Sequence, residues 1–473
     1  MRVILAGALG AVLFNLSQGL ADAWALAWFA PAPLLWLAYG NLPRSQVLTA
    51  SAVAFVAGQA YLVQCYWGRL PPLILAPLVI AMTAAFAAAV LFAGLIFRRG
   101  TSWETLFVFP ALWAALEYLI SRVSPHGSYG AMAYATVSFP AGIQLASLLG
   151  SSAVTFLLCL SANSIALMAR QRRSAACLGA ILCAAALIFG FIRLAQPGGP
   201  PVEVAALVDI DAHRAGPPTA KSAEATAAAY AAHIGTLGDA RVVVIPEGAL
   251  RMQDADQGQV LQPLVNQAKS HGVLVLAGTF MPAPERNRAF ALLPDGTMRI
   301  YTKRHPLLPF EQTVPGHDPG LVSEGYATQI CKDMDFAGTV RETAAYGVRL
   351  MIVPADDFVR DGWIHGRIAI MRGVENGFAV LRAAFDGLAT ISDAHGRVLA
   401  RASTTGAGMV TLKAAVPLGP GPTLYTRIGD VFPWLCALLT SFIALQAIRS
   451  ASPQSQRQRR VPAPSGPVRS IRR

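Results

Sequence analysis

At 473 residues the chain has room for two or three domains, but with 54% hydrophobic and only 14% charged residues it is not an ordinary soluble protein. The formal net charge of +12 does not point to a nucleic-acid partner: the arginines gather at the ends of apolar runs and in the C-terminal tail, where the positive-inside rule accounts for them. Charge is otherwise concentrated in one long middle segment, which separates a lipid-embedded part from an aqueous one.

In chain order, apolar stretches occupy residues 3–20, 22–40, 48–66, 73–97, 104–121, 142–168 and 175–195, and another follows at 428–448. Each is long enough to cross a hydrocarbon core of about 30 Å as a helix. Residues 1–196 are therefore expected to hold seven transmembrane helices, 197–424 a water-soluble domain, and 425–449 an eighth helix. Residues 450–473 form a basic tail, expected to be disordered and drawn to anionic headgroups. Met1-Arg2 ahead of the first stretch also fits a signal peptide, but no small-residue cleavage site followed by polar sequence is present.

Orientation follows from the short loops. One side of the membrane carries Arg2, Arg44, Arg98, Arg99, Arg170, Arg172, Arg173 and the tail beyond Arg449; the other carries Arg69, Arg122 and Arg193. Both termini are thus expected in the cytoplasm, and the soluble domain on the periplasmic or extracytoplasmic face of a bacterial cytoplasmic (inner) membrane. Glu117 is the one carboxylate well inside a span, where an ionisable group needs either a structural partner or a task. The loop that follows, with His126, Gly127, Tyr129 and Gly130, is long enough to roof an access path from the lipid.

From Pro197-Gly198-Gly199-Pro200-Pro201 the pattern changes to alternating strands and helices. Strands are predicted at 202–208, 241–245, 273–279, 287–293, 297–302, 349–353, 378–383, 388–392 and 397–401, with one more ending at Cys331. Helices are predicted at 219–236, 257–270, 337–346 and 363–376. The alternation describes an α/β domain whose sheets are covered by helices.

Three polar residues stand at the ends of predicted buried strands or just beyond: Glu247, Lys303 and Cys331. Such places fix the backbone while a side chain projects into a cleft. Cys331 is the one thiol outside the apolar runs, since Cys65, Cys159, Cys177, Cys183 and Cys436 fall within them. It is either a buried small hydrophobe or a nucleophile. A nucleophilic thiol needs a base, for which Glu247 is the candidate, and Lys303 can stabilise a thiolate and an oxyanion. Of 38 basic residues only Lys221, Lys269, Lys303, Lys332 and Lys413 are lysines, which suggests that a compact ammonium is needed at position 303. Phe310, Phe358 and Trp363 are candidates for lining a substrate cleft. His305, His317 and His365 lack metal-ligand spacing, and neither metal nor cofactor is expected.

The segments Ile245-Pro246-Glu247, Tyr301-Thr302-Lys303-Arg304-His305, Leu308-Pro309-Phe310-Glu311, Val314-Pro315, Ile330-Cys331 and Arg372-Gly373-Val374-Glu375-Asn376-Gly377, with Arg382, Asn287 and Gln144 to Gly150, carry a resemblance. Glu, Lys and Cys in that order resemble the carbon-nitrogen hydrolase (nitrilase) superfamily. Eight spans around them narrow it to a chain that resembles the apolipoprotein N-acyltransferases. The resemblance implies an α-β-β-α sandwich with Glu247 as general base, Lys303 as oxyanion stabiliser and Cys331 as the acylated thiol. Glu311 is implied to hold the lysine and the substrate nitrogen in place. A ping-pong reaction is implied: Cys331 takes an acyl chain from a membrane phospholipid as a thioester, and the amine of a diacylglyceryl-cysteine lipoprotein accepts it. A monomer is expected.

Two departures stand out. Cys331 is followed by Lys332-Asp333 where the family usually has Cys-Tyr-Glu, so both are candidate substrate contacts, and Pro309-Phe310-Glu311 replaces Pro-Phe-Gly-Glu. The alternatives are a membrane-tethered amidase or an N-acyltransferase with another amine acceptor. From a different class, a catalytically dead scaffold or lipid-binding protein is disfavoured by retention of all three triad residues.

Overall fold

The computed structural model describes residues 1–100, 102–214, 220–282 and 284–451, so the tail beyond residue 451 lies outside the described residues. Among them, six helices are long and apolar enough to cross a membrane: Arg44–Tyr66, Pro72–Phe97, Trp103–Val123, Ser151–Ala169, Arg173–Leu194 and Val431–Arg449. The first two expected spans come out differently. Arg2–Gln18 is a 17-residue helix, and residues 22–40 form a 3-10 turn, Trp24–Trp28, followed by the short helix Ala32–Ala38. Pro31 and Pro33 cannot donate to a helical ladder, which is why one continuous helix does not form there. The bundle packs around aromatic rings: Phe86 meets Phe14 and Trp113 edge to face at centroid distances of 5.3 and 5.1 Å.

The middle segment builds two six-stranded sheets. Its strands are β1 (Pro201–Asp209), β2 (Val242–Arg251), β3 (Leu274–Pro282), β4 (Glu285–Leu292), β5 (Met298–Thr302), β6 (Leu321–Ser323), β7 (Tyr326–Thr328), β8 (Leu350–Asp356), β9 (Ala379–Phe385), β10 (Leu388–Ser392), β11 (Val398–Ser403) and β12 (Met409–Pro417). The first sheet runs β12-β1-β2-β3-β4-β5 and the second β11-β10-β9-β8-β7-β6. Each has a parallel centre, β1-β2-β3 and β7-β8-β9, flanked by antiparallel strands.

Strand alternation assigns the faces. Val204, Ala206, Val242, Val244 and Leu276 meet Leu350, Ile352, Leu381 and Ile391 between the sheets. The alternate residues Ala205, Leu207, Val243 and Val275 pack under helices Ala220–Ile234 and Gln257–His271, and Met351, Val353 and Val380 pack under the helices on the other side. The result is the expected four-layer sandwich. Strands β6 and β12 are additions to the sequence reading. β12 buries only alternate residues at a sheet edge, so no apolar run marks it.

Helix Gly362–Asn376 docks the sandwich onto the membrane helices through buried arginines. Arg367 donates to the Gln18 carbonyl at 2.9 Å and lies 3.5 Å from Asp22. Arg372 pairs with Glu375, both fully buried, and donates to Ser128 Oγ at 2.9 Å and the Met334 carbonyl at 3.1 Å. Glu375 in turn accepts from the Ser151 backbone N–H at 2.6 Å. Glu117 has a structural partner on each oxygen, the Met132 N–H at 2.8 Å and the Thr155 hydroxyl at 2.6 Å.

Candidate active site

Strand geometry brings Glu247, Lys303 and Cys331 to one cavity. Glu247 follows Pro246 where the β2–β3 register shifts between Ile245 and Leu250, so the chain bulges and the carboxylate leaves the ladder. Gly278 makes room for the bulge: a Cβ there would sit 2.1 Å from the Pro246 carbonyl oxygen and 2.7 Å from Glu247 Cα. Lys303 is the residue after β5, held by its N–H on the Asn287 carbonyl at 2.9 Å. Cys331 opens the 3-10 turn Cys331–Asp335, three residues beyond β7, with φ of +44°. Few non-glycine residues adopt that left-handed conformation, and such strain is found mostly where a functional group must be aimed.

Lys303 is the hub. Its Nζ donates to Glu247 Oε1 at 2.7 Å and to Glu311 Oε1 at 2.6 Å, with only 2% of the lysine exposed. Asn287 Nδ2 donates to the same Glu247 oxygen at 2.6 Å. The other oxygen, Glu247 Oε2, is buried without a hydrogen-bond partner among the described residues. Burial alone would favour the neutral amine, but the Glu247 and Glu311 carboxylates, with Cys331, hold the Lys303 ammonium well above its ordinary range. Burial raises the Glu311 carboxyl, an effect that Lys303 opposes and Glu247 reinforces.

The Cys331 thiol is half-buried and donates to the Asp356 carbonyl oxygen at 3.5 Å. Burial and then the Glu247 carboxylate push it well above the usual thiol range, against the opposing pull of Lys303 and Arg382. The resting group is therefore a thiol, and it reacts only if a base takes its proton.

These side chains line a cavity of about 370 Å³, shared with Phe310, Glu311, Lys332 and Phe358. Tyr66, Leu70, Leu75, His126 and Tyr129 from the membrane part close its other side. Two sequence candidates for substrate contact stand elsewhere. Asp333 is fully buried, its oxygens accepting from the Tyr301 hydroxyl at 2.8 Å and from the N–H groups of His305, Ile330 and Arg304 at 2.7, 3.1 and 3.1 Å. It ties the Cys331 turn to the Lys303 segment instead of facing a substrate. Trp363 is not among the cavity-lining residues; its ring lies under Arg401 at 5.4 Å and packs beside Ile364 and Ile368.

Two cavity residues, Asp357 and His365, have partners that the sequence reading did not assign. Asp357, just past β8, holds Arg382 by a two-pronged ion pair. It is a polar residue at a strand end, the signal that singled out Glu247. His365 pairs with Asp361 at 3.2 Å, and Asp361 also accepts from Tyr66 at 2.7 Å. The Tyr66–Asp361 contact joins distant segments and leaves no local spacing to read, whereas Asp361 and His365 stand four residues apart in the chain.

Two family descriptions match the chain in tandem: the apolipoprotein N-acyltransferase N-terminal domain over residues 10–164 and carbon-nitrogen hydrolase over residues 211–419. An apolipoprotein N-acyltransferase from Geobacter metallireducens is 27% identical, covering 96% of this chain and 96% of its own. One from Gloeobacter violaceus is 26% identical, covering 97% of each. Among solved structures, an amidase from Nesterenkonia sp. is 17% identical with a TM-score of 0.39, covering 50% of this chain and 95% of its own. By these two adjoining matches and its full-length relatives, the chain belongs to the apolipoprotein N-acyltransferase family.

Proposed function

We propose that the protein moves a fatty acyl chain from a membrane phospholipid, through a thioester on Cys331, to the N-terminal amine of a diacylglyceryl-cysteine lipoprotein. One observation carries the chemistry: a half-buried thiol shares a cavity with a buried lysine clamped between two carboxylates, one of which keeps an unpartnered oxygen. Glu247 Oε2 takes the thiol proton as sulfur attacks the donor ester carbonyl. The oxyanion that forms is stabilised by the Lys303 ammonium. The C–O bond then breaks, the proton passes from Glu247 to the leaving alkoxide, and a lysophospholipid departs. In the second half the amine attacks the thioester carbonyl, Glu247 accepts a proton from nitrogen, the C–S bond breaks and the thiol is restored.

Glu311 keeps Lys303 in place. Phe310 and Phe358 offer apolar surface to the chain. The arginine distribution over the short loops supports cytoplasmic termini and a periplasmic catalytic domain. The division into a membrane part, a sandwich and a final single helix, with boundaries at 196, 424 and 449, belongs to the same reading, as does a monomeric state. No cofactor takes part.

Complementation of a bacterial strain depleted of its lipoprotein N-acyltransferase tests the acceptor. Growth and triacylated lipoprotein are the expected outcome. Acyl-enzyme formation without rescue would assign a different amine acceptor, or water in an amidase reaction.

A further inference from the structure

Two openings share one wall. The catalytic cavity and an adjoining groove of about 770 Å³ have His126, Leu307 and Lys332 in common. The groove is lined by Leu73, Leu78 and Val123 from the membrane helices and by Leu308 from the loop after Lys303. Leu73, Val123 and Leu308 are exposed, so the groove presents apolar surface outward from the level of the helix ends.

Lys332 stands at the neck between them, one residue past Cys331, with 7% of its surface exposed. Its Nζ has a 3.4 Å contact with His126 Nδ1, and no carboxylate lies within ion-pair distance among the described residues. His126 Nε2 is 3.0 Å from the Ile74 carbonyl oxygen, which can only accept, so Nε2 carries the hydrogen and Nδ1 offers a lone pair. Lys332 thus gives one N–H to a neutral imidazole, its ammonium stands 5.7 Å from the centroid of the Phe336 ring, and no other hydrogen-bond acceptor meets it among the described residues. Arg304 lines the same groove: its Nη2 donates to Glu342 at 2.9 Å, while its buried Nη1 has no partner among the described residues. Buried cationic donors left unpaired are costly. Both side chains line the groove, where an anion would supply the acceptors they lack.

We propose that Lys332 and Arg304 form an anion site at this neck, which holds the phosphodiester of the donor phospholipid while its acyl chains lie in the apolar groove. The inference rests on the acyl-transfer reading above and adds the element that selects the donor. Lys332 is adjacent to Cys331 in the chain, so a lipid anchored through its phosphate is held with its ester groups near the thiol. Lys332 and Arg304 recognise the phosphate and take no part in bond making.

The test uses the full-length protein in mixed micelles with phosphatidylglycerol or with a diacylglycerol of the same chains, reading acyl-thioester formation on Cys331 by intact mass. Wild-type protein is expected to react about tenfold faster with the phosphodiester donor, the worth of a charge-assisted hydrogen bond. Lys332→Met is expected to lose that preference and Lys332→Arg to keep it; Arg304→Met is expected to weaken it. Equal wild-type rates with the two donors would overturn the inference, and so would an unchanged ratio in Lys332→Met. The wild-type ratio decides even if a variant folds poorly. Wild-type protein that takes no acyl group from either donor overturns the acyl-transfer reading as well, whereas acylation without preference overturns this inference alone.

Discussion

Lys303 Nζ lies 2.7 Å from Glu247 Oε1, and that contact sets the division of labour within the carboxylate. One oxygen is committed to the ammonium and to Asn287, which fixes the orientation of the group. The other is buried without a partner among the described residues, and it is the atom assigned to the thiol proton. Glu247→Gln preserves the shape but removes the basic oxygen. It should slow acyl-enzyme formation by about a hundred- to ten-thousand-fold with little change in thermal unfolding. Rapid-quench mass spectrometry beside a melting curve checks this; a fall below about tenfold would assign the base elsewhere.

Lys303→Met should damage both fold and chemistry. It leaves Glu247 and Glu311 buried without their cation, which costs about 3–5 kcal/mol. It also removes the oxyanion donor, worth about a hundred- to thousand-fold in rate. Adding Glu311→Gln should restore part of the stability but none of the rate. Denaturation and single-turnover acylation on the single and double variants separate the two effects.

The ion pair Arg372–Glu375 should behave as a docking element. Arg372→Met leaves a fully buried carboxylate uncompensated and should cost about 3–5 kcal/mol. Arg372→Met with Glu375→Gln should recover part of that loss. A double-mutant cycle in detergent measures the coupling, and a coupling near zero would mean that the buried carboxylate does not depend on Arg372 for compensation.

Two histidines give the stability profile opposite limbs. Burial works against protonation of His365, but Asp361 outweighs it and the ring is pushed up to about 9 from 6.5. Its contribution is therefore complete below pH 6.5 and is lost as pH rises through 9. His305 is pushed down to about 4 by burial and then by Arg304 and Lys332. Its contribution is present above pH 6.5 and is lost as pH falls toward 4. Melting temperatures measured across pH should show both limbs. His365→Gln should flatten the alkaline one and His305→Gln the acid one.

Much of this architecture is legible in the sequence because its signals are local. Buried strands such as β2 and β8 are continuous apolar runs, and Lys303 and Cys331, just beyond strand ends, meet in the cavity with Glu247, which stands at a bulge inside β2 and not at the strand end the sequence suggests. What stayed hidden depends on packing between distant segments. Asp333 looked like a substrate contact because it follows the nucleophile, yet folding points it back at Tyr301 and at the N–H groups of Arg304 and His305. Tyr66, the last residue of the helix Tyr61–Tyr66, carries no motif and reaches the site by packing, with its hydroxyl on Asp361 at 2.7 Å. His126 and Tyr129 belong to the loop expected to roof an access path, and they reach the site because that loop docks on the Cys331 turn, with the Ser128 N–H on the Asp335 carbonyl at 2.9 Å. The broken second span was visible in Pro31 and Pro33, but apolar composition hid it.

The central claim is that Cys331 carries the acyl group, and intact-protein mass spectrometry after incubation with phospholipid tests it most directly. The account predicts a mass increase of one acyl chain, located on Cys331, removed by hydroxylamine and absent from Cys331→Ala. An unmodified wild-type protein, or the same increase in Cys331→Ala, would contradict it.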